Sequence, residues 1–130
     1  MPYRLIWETS PSGLLATYSG RISADDLAAF YREITVDPRW DYLRYVIVDA
    51  SAVDGVDVDS SSGATLVRRN VLIIGAARSR DPLPFVFVAN NPELLNLLQR
   101  QRELRAFPYA TPVFESVAAA REWLADAHIE

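Results

Sequence analysis

Residues 44–63, with the sequence RYVIVDASAVDGVDVDSSSG, contain the two features that decide the fold. The first is the continuous apolar run from Tyr45 to Val48, which is typical of a strand covered on both faces. The second is the group DSSSG at residues 59–63, where an acid and three hydroxyls precede a long apolar stretch and are suited to begin a helix. A buried strand that leads through a loop into a capped helix predicts an α/β domain.

The composition predicts one globular domain over residues 1–130. The chain has a mass of 14.6 kDa, half of its residues are apolar, and its net charge of -4 argues against nucleic-acid binding. No apolar run approaches the roughly 20 residues of a membrane span, and a strand pattern at the N-terminus leaves no room for a signal peptide. Since cysteine is absent as well, we expect a cytoplasmic protein without disulfides or integral membrane association.

Several kinds of catalysis are disfavoured by the residue types that the chain lacks. All 13 basic residues are arginine, so a Walker-type phosphate-binding lysine and a Schiff-base lysine are both excluded. The single histidine, His128, is the third residue from the end of the sequence, in a stretch expected to fray. We therefore expect that the protein is not an enzyme and uses no cofactor.

Periodicity and turn residues predict the order β-β-α-β-α-β-α-β-α. The predicted strands cover residues 3–9, 14–20, 45–48, 85–89 and 109–114, and the predicted helices begin at Ser23, near residue 60, at Asn91 and at Ser116. Alternating strands and helices form a mostly parallel sheet, and the opening hairpin adds an antiparallel strand. The prediction is thus a two-layer α/β domain with a mixed five-stranded sheet and four helices.

The loop after the buried strand, predicted at residues 49–63, carries the densest polar cluster in the chain. Its candidate binding residues are Asp49, Asp57, Asp59, Ser60, Ser61, Ser62 and Gly63. Three interpretations compete: a divalent metal site, a phosphorylatable serine at a helix start, and a simple helix cap. The metal is disfavoured because the glycine and terminal glutamate of a calcium loop are missing, and we expect no metal.

A separate apolar surface is predicted in the helix at residues 60–77. Its second half is apolar on almost every side because of four consecutive residues, Val71, Leu72, Ile73 and Ile74. A helix that is apolar all round needs additional burial. We expect this surface to contact either an apolar ligand or a second subunit in a homodimer.

Two segments resemble the STAS fold of anti-sigma-factor antagonists, and in particular its SpoIIAA-like branch. The strand ending at Asp49, followed by DSSSG at residues 59–63, is similar to the Asp-Ser-Ser-Gly stretch that holds the phosphorylated serine in antagonists. The segment 113–124, VFESVAAAREWL, resembles the C-terminal strand-to-helix signature of SpoIIAA-like proteins, in which Phe, a capping Ser and Trp-Leu recur.

This resemblance implies a non-catalytic regulatory module that binds a partner protein, such as a kinase or an anti-sigma-type regulator. It also implies a switch by serine phosphorylation, with Ser61 or Ser62 as the acceptor and Asp59 as the preceding acid. The alternative function is that of a Sec14-like carrier or sensor, which would hold an apolar small molecule or lipid against the apolar surface at residues 71–74.

Overall fold

A computed structural model describes residues 3–9, 12–57, 85–103 and 112–126. The strands are β1 (Tyr3–Thr9), β2 (Ser12–Ser23), β3 (Tyr45–Asp57), β4 (Phe85–Val88) and β5 (Val113–Phe114). The helices are α1 (Ala24–Val36), a 3₁₀ helix (Pro38–Tyr42), α2 (Pro92–Glu103) and α3 (Val117–Asp126). Among the described helices, none is long and apolar enough to span a membrane.

The five strands form one sheet in the order β1-β2-β3-β4-β5. β1 and β2 pair antiparallel as a hairpin, with Thr9 opposite Ser12. Every other neighbouring pair is parallel, as expected when a crossover connects consecutive strands. The predicted mixed, mostly parallel sheet with an N-terminal hairpin is therefore confirmed.

Helices pack on both faces of this sheet. Phe30 and Ile34 of α1, Trp40 of the 3₁₀ helix and Leu94 of α2 join the larger core cluster on one face. α3 packs on the opposite face, where its Ala120 and Leu124 contact the buried side chains of β3 and β4. The described helices therefore cover both faces of the sheet, and the α/β class is as predicted.

The hairpin is fixed to α1 by three aromatic rings. Tyr3, Tyr18 and Phe30 are all buried, and their ring centroids lie 5.5–5.8 Å apart in tilted or edge-on arrangements. Such arrangements place the positive edge of one ring near the negative face of another. The first strand of the chain is thereby anchored to the core.

β3 extends well beyond the predicted strand at residues 45–48. It continues to Asp57 because β2 is also longer than predicted, and Ser19–Ser23 of β2 pair with 52–57 of β3. Two register shifts interrupt this pairing, so the side chains of Val53 and Val56 can both face the core although their spacing does not follow strict alternation. The prediction of a loop beginning at Asp49 was wrong for this reason.

Other predictions fall partly or wholly outside the described residues. The predicted helix at 60–77 lies outside them, so three of the four predicted helices are observed. Of the predicted strand at 109–114, Val113 and Phe114 are strand, Pro112 is not, and 109–111 lie outside. The predicted helix starts at Ser23, Asn91 and Ser116 are all confirmed by side-chain caps, and Ser116 Oγ accepts a 3.1 Å hydrogen bond from Ala119 N–H.

Candidate functional site

The carboxyl ends of the parallel strands β2–β5 lie at one end of the sheet, which is called here the carboxyl edge and is distinct from the outermost strand β1. Ligands and partners of open α/β sheets bind preferentially at this edge. The described strands reach it at Ser23, Asp57, Val88 and Phe114. Asp57 is therefore placed at the predicted edge, and the serines at 60–62 follow it within five positions of the chain.

Ser23 and Asp26 close the end of β2 with a capping box. Ser23 Oγ accepts a hydrogen bond from Asp26 N–H at 3.2 Å, and the Asp26 carboxylate accepts one from Ser23 N–H at 2.8 Å. Both hydrogen bonds satisfy backbone donors that a helix start would otherwise leave unpaired. This pair fixes the first turn of α1 at the carboxyl edge.

A second polar contact joins the first turn of α2 to the end of β3. Asn91 Oδ1 accepts hydrogen bonds from the N–H groups of Glu93 and Leu94, at 3.0 and 3.2 Å. The Glu93 carboxylate points back to β3 and accepts a 3.1 Å hydrogen bond from Val56 N–H. β4 pairs only with residues 46–49 of β3, so Glu93 supplies an acceptor where β4 no longer runs beside β3. The sequence identified Asn91 as a cap but gave no sign of the role of Glu93.

Asp49 lies level with the end of β4, because it is the register partner of Val88, and not at the end of β3. It lies within β3, eight positions before Asp57, which corresponds to roughly 26 Å along an extended strand. Its Oδ1 accepts hydrogen bonds from Ser51 N–H at 3.1 Å and from Ser51 Oγ at 2.7 Å. The structure therefore separates Asp49 from Asp57, whereas the sequence predicted that both belong to one polar loop.

Two glycines shape the β2–β3 ribbon as it approaches the carboxyl edge. Gly20 adopts φ of 71°, a left-handed conformation that side chains disfavour, at the second register shift. Gly55 lies under the guanidinium of Arg21, and a Cβ there would stand 2.3 Å from Arg21 Nη1. The glycine thus permits a cationic side chain to lie directly across the end of β3.

The remaining candidates belong to the predicted polar loop and to the predicted apolar surface. They are Asp59, Ser60, Ser61, Ser62 and Gly63, together with Val71, Leu72, Ile73 and Ile74, all of which lie outside the described residues. Within the described ranges, no group of three acidic or histidine side chains is arranged to hold a metal ion.

A cluster at the opposite end of the sheet was missed by sequence reasoning. The carboxylate of Glu8 accepts hydrogen bonds from the Arg121 guanidinium, at 3.2 Å to Oε1 and 2.8 Å to Oε2, and a further one from Tyr45 Oη. These three side chains are called here the amino-end cluster. The hydrogen bond and charge of Arg121 lower the pKa of Glu8, and burial together with Glu8 raises the pKa of Tyr45. No motif connects these residues, since they lie on β1, β3 and α3.

Comparison with solved structures identifies the fold. Neither a protein-family model nor a curated protein sequence matches the chain. An uncharacterized protein with a SpoIIAA-like fold from Shewanella loihica matches with a TM-score of 0.58 at 16% identity, over 94% of this chain and 93% of the other.

Two anti-sigma factor antagonists also match over almost their whole length. The one from Mycobacterium paratuberculosis has a TM-score of 0.58 and 14% identity, with 95% of each chain covered. The antagonist SpoIIAA, in its unphosphorylated form, has a TM-score of 0.53 and 12% identity, with 97% of each chain covered. Identity this low identifies the architecture and leaves the activity open. The chain therefore has the SpoIIAA-like fold of the STAS class, as its sequence predicted.

Proposed function

We propose that this protein is a non-catalytic regulatory module that binds a partner protein at the carboxyl edge and is switched by phosphorylation of Ser61 or Ser62. The observation that carries the proposal is the shared fold with two anti-sigma factor antagonists along nearly the whole chain. One of them is described in its unphosphorylated form, which makes phosphorylation a defined state of that protein. In this chain, three consecutive serines, Ser60, Ser61 and Ser62, called here the serine run, begin three positions after the last residue of β3, Asp57.

Charge explains how a phosphate would act there. Asp54 and Glu93 are exposed and Asp57 ends β3 at the same edge, so these acidic residues outnumber the single guanidinium of Arg21 that lies across the end of β3. A phosphoserine adds a charge of about -1.5 to -2 at neutral pH. We expect this charge to repel an acidic partner surface, while free N–H groups at a helix start would stabilise the phosphate itself.

The proposed partner is a protein of the anti-sigma or kinase type, encountered in the cytoplasm. Because lysine and cysteine are absent, the covalent nucleophiles available are hydroxyls, carboxylates and the single imidazole of His128, which supports a binding role over a catalytic one. A homodimer is a further prediction for this protein, and it is considered separately below.

Intact mass spectrometry of the protein purified from its own host, with and without phosphatase, tests the switch. We expect a phosphatase-sensitive mass increase that maps to the serine run and is lost in the Ser61→Ala, Ser62→Ala double variant. Ser19→Ala is the matched control, because Ser19 is an exposed serine on β2 away from the run. A protein that stays unmodified, or a phosphate that survives the double substitution, would contradict the proposal.

A further inference from the structure

β1 forms one edge of the sheet, and no described strand pairs with its outer side. An unpaired edge presents a row of backbone donors and acceptors to any strand of suitable length. β1 has seven residues and pairs with β2 without a register shift, whereas the pairing of β2 with β3 is shifted twice. The edge is therefore regular and lacks the bulge by which many proteins protect such strands.

The side chains of β1 are apolar at the centre and charged toward both ends of one face. Ile6, in the middle of the strand, keeps 45% of its surface exposed. Arg4 and Glu8 flank it on the same face, two positions away on either side. Leu5 and Trp7 lie on the other face and are only partly buried.

This arrangement is complementary to itself in one antiparallel register. When Ile6 of one copy lies opposite Ile6 of another, Arg4 lies opposite Glu8 of the second copy, and this charge pair occurs twice. All seven strand residues are then paired. A register centred on Leu5 or Trp7 shortens the paired segment and places neither Arg4 nor Glu8 opposite a charge. A register centred on Arg4 or Glu8 places that residue opposite its own copy, so that like charges face each other.

The Glu8 carboxylate is held in place for such a contact. Arg121 and Tyr45 together donate two hydrogen bonds to Oε1 and one to Oε2. A carboxylate has about four acceptor positions, so one remains on Oε2 for a guanidinium from outside. The position of Glu8 therefore depends little on whether a second chain is present.

We propose that two copies of this chain pair antiparallel through their β1 edges, about a two-fold axis at Ile6, and join their sheets into one continuous sheet. This interface differs from the apolar surface predicted at residues 71–74. It is also independent of serine phosphorylation, so either proposal can fail without the other.

A cysteine cross-link tests the register directly, because the natural chain contains no thiol. Opposed residues of an antiparallel pair have Cα atoms about 4.5–5.5 Å apart, within the range that a disulfide spans. We expect Ile6→Cys to form a covalent dimer under mild oxidation at micromolar concentration. Arg4→Cys is the register control and should form no disulfide-linked dimer, since its two thiols would lie about 14 Å apart along the strands.

The oligomeric state of a charged variant gives the second measurement. Ile6→Lys places two like charges at the axis, so we expect the dissociation constant of the dimer to rise about tenfold or more in analytical ultracentrifugation. Leu95→Lys on α2, at a residue 37% exposed, is the matched control and should leave dimerisation unchanged. Equal cross-linking of both cysteine variants, a wild-type protein that is monomeric, or a dimer indifferent to Ile6→Lys would overturn the proposal.

Discussion

The two ends of the sheet use polar side chains in different ways. In the amino-end cluster, Glu8, Tyr45 and Arg121 bind one another and connect three separate elements. At the carboxyl edge, the side chains of Ser23, Asn91 and Glu93 instead accept hydrogen bonds from backbone N–H groups. At the amino end, side chains thus join separate elements to one another. At the carboxyl edge, side chains supply acceptors for backbone N–H groups that would otherwise lack a partner. We infer that the first region holds β1, β3 and α3 together and that the second fixes the starts of α1 and α2.

The contact between Gly13 and Tyr45 should produce the largest loss of stability when it is disturbed. A Cβ on Gly13 would stand only 2.0 Å from Tyr45 Cζ, so Gly13→Ala must displace the buried ring and with it the hydrogen bond to Glu8. We expect the free energy of unfolding to fall by about 2–3 kcal/mol in urea denaturation.

Gly20→Ala is the comparison for that variant. Nothing lies within 4 Å of a Cβ at Gly20, so only its φ of 71° opposes the substitution. We expect a loss of about 1 kcal/mol. If Gly20→Ala proved as costly as Gly13→Ala, packing against Tyr45 would not be what holds the amino end together.

Removal of the Glu93 carboxylate should have a smaller effect at the carboxyl edge. Glu93→Ala deprives Val56 N–H of its acceptor, and because Glu93 is exposed we expect a cost of about 1 kcal/mol. Amide hydrogen exchange at Val56 should accelerate in this variant. Glu93→Gln retains an acceptor oxygen and should restore most of the protection; equal exchange in both variants would show that the contact contributes little.

Acid should weaken the amino-end cluster selectively. The folded protein holds the pKa of Glu8 below its ordinary value, chiefly through Arg121. The stabilisation from ionised Glu8 is therefore present above the unfolded pKa of about 4.3 and is lost as the pH falls through the folded value. We expect the difference in stability between wild type and Glu8→Gln to shrink as the pH decreases from 6 to below 4. A constant difference over that interval would contradict the assignment.

Alkali should act on the same strand through Tyr3. Burial and the 2.8 Å hydrogen bond from Tyr3 Oη to Glu33 raise the pKa of this tyrosine to about 12. A raised pKa favours the neutral phenol in the fold, so its stabilisation is present below about pH 10 and is lost as the pH rises toward 12. Tyr3→Phe should show a smaller loss of stability between pH 10 and 12 than wild type; an identical loss would place the alkaline transition elsewhere.

Local sequence signals predicted the parts of this fold that local physics determines. The caps at Ser23, Asn91 and Ser116 were identified because a serine or asparagine just before apolar residues at helical spacing is typical of a helix N-cap. The length of β3 was not predicted, because Asp54, Gly55 and Asp57 in its second half are residue types typical of turns, whereas the segment is a strand through its pairing with the extended β2. Residues that meet from distant positions, such as Glu8 with Arg121, leave no spacing from which to predict them.

The candidate site divides in the same way. Asp57 ends β3, whereas Asp49 lies opposite Val88, the last residue of β4. The two carboxylates are therefore at different levels along β3, because the residues between them continue the strand. Glu93 was missed because its partner is a backbone N–H on another element. The assignment of Ser61 or Ser62 as the phosphoacceptor stays a prediction.

The central claim is that phosphate at the serine run controls which proteins the carboxyl edge binds. The most direct measurement is to immobilise the phosphorylated and the phosphatase-treated protein separately and to quantify the proteins that each retains from extract of its own host. The account predicts a partner that is retained by the phosphatase-treated form and released by the phosphorylated one, with the Ser61→Ala, Ser62→Ala variant retaining it under both treatments. Identical sets of retained proteins for the two forms would contradict it.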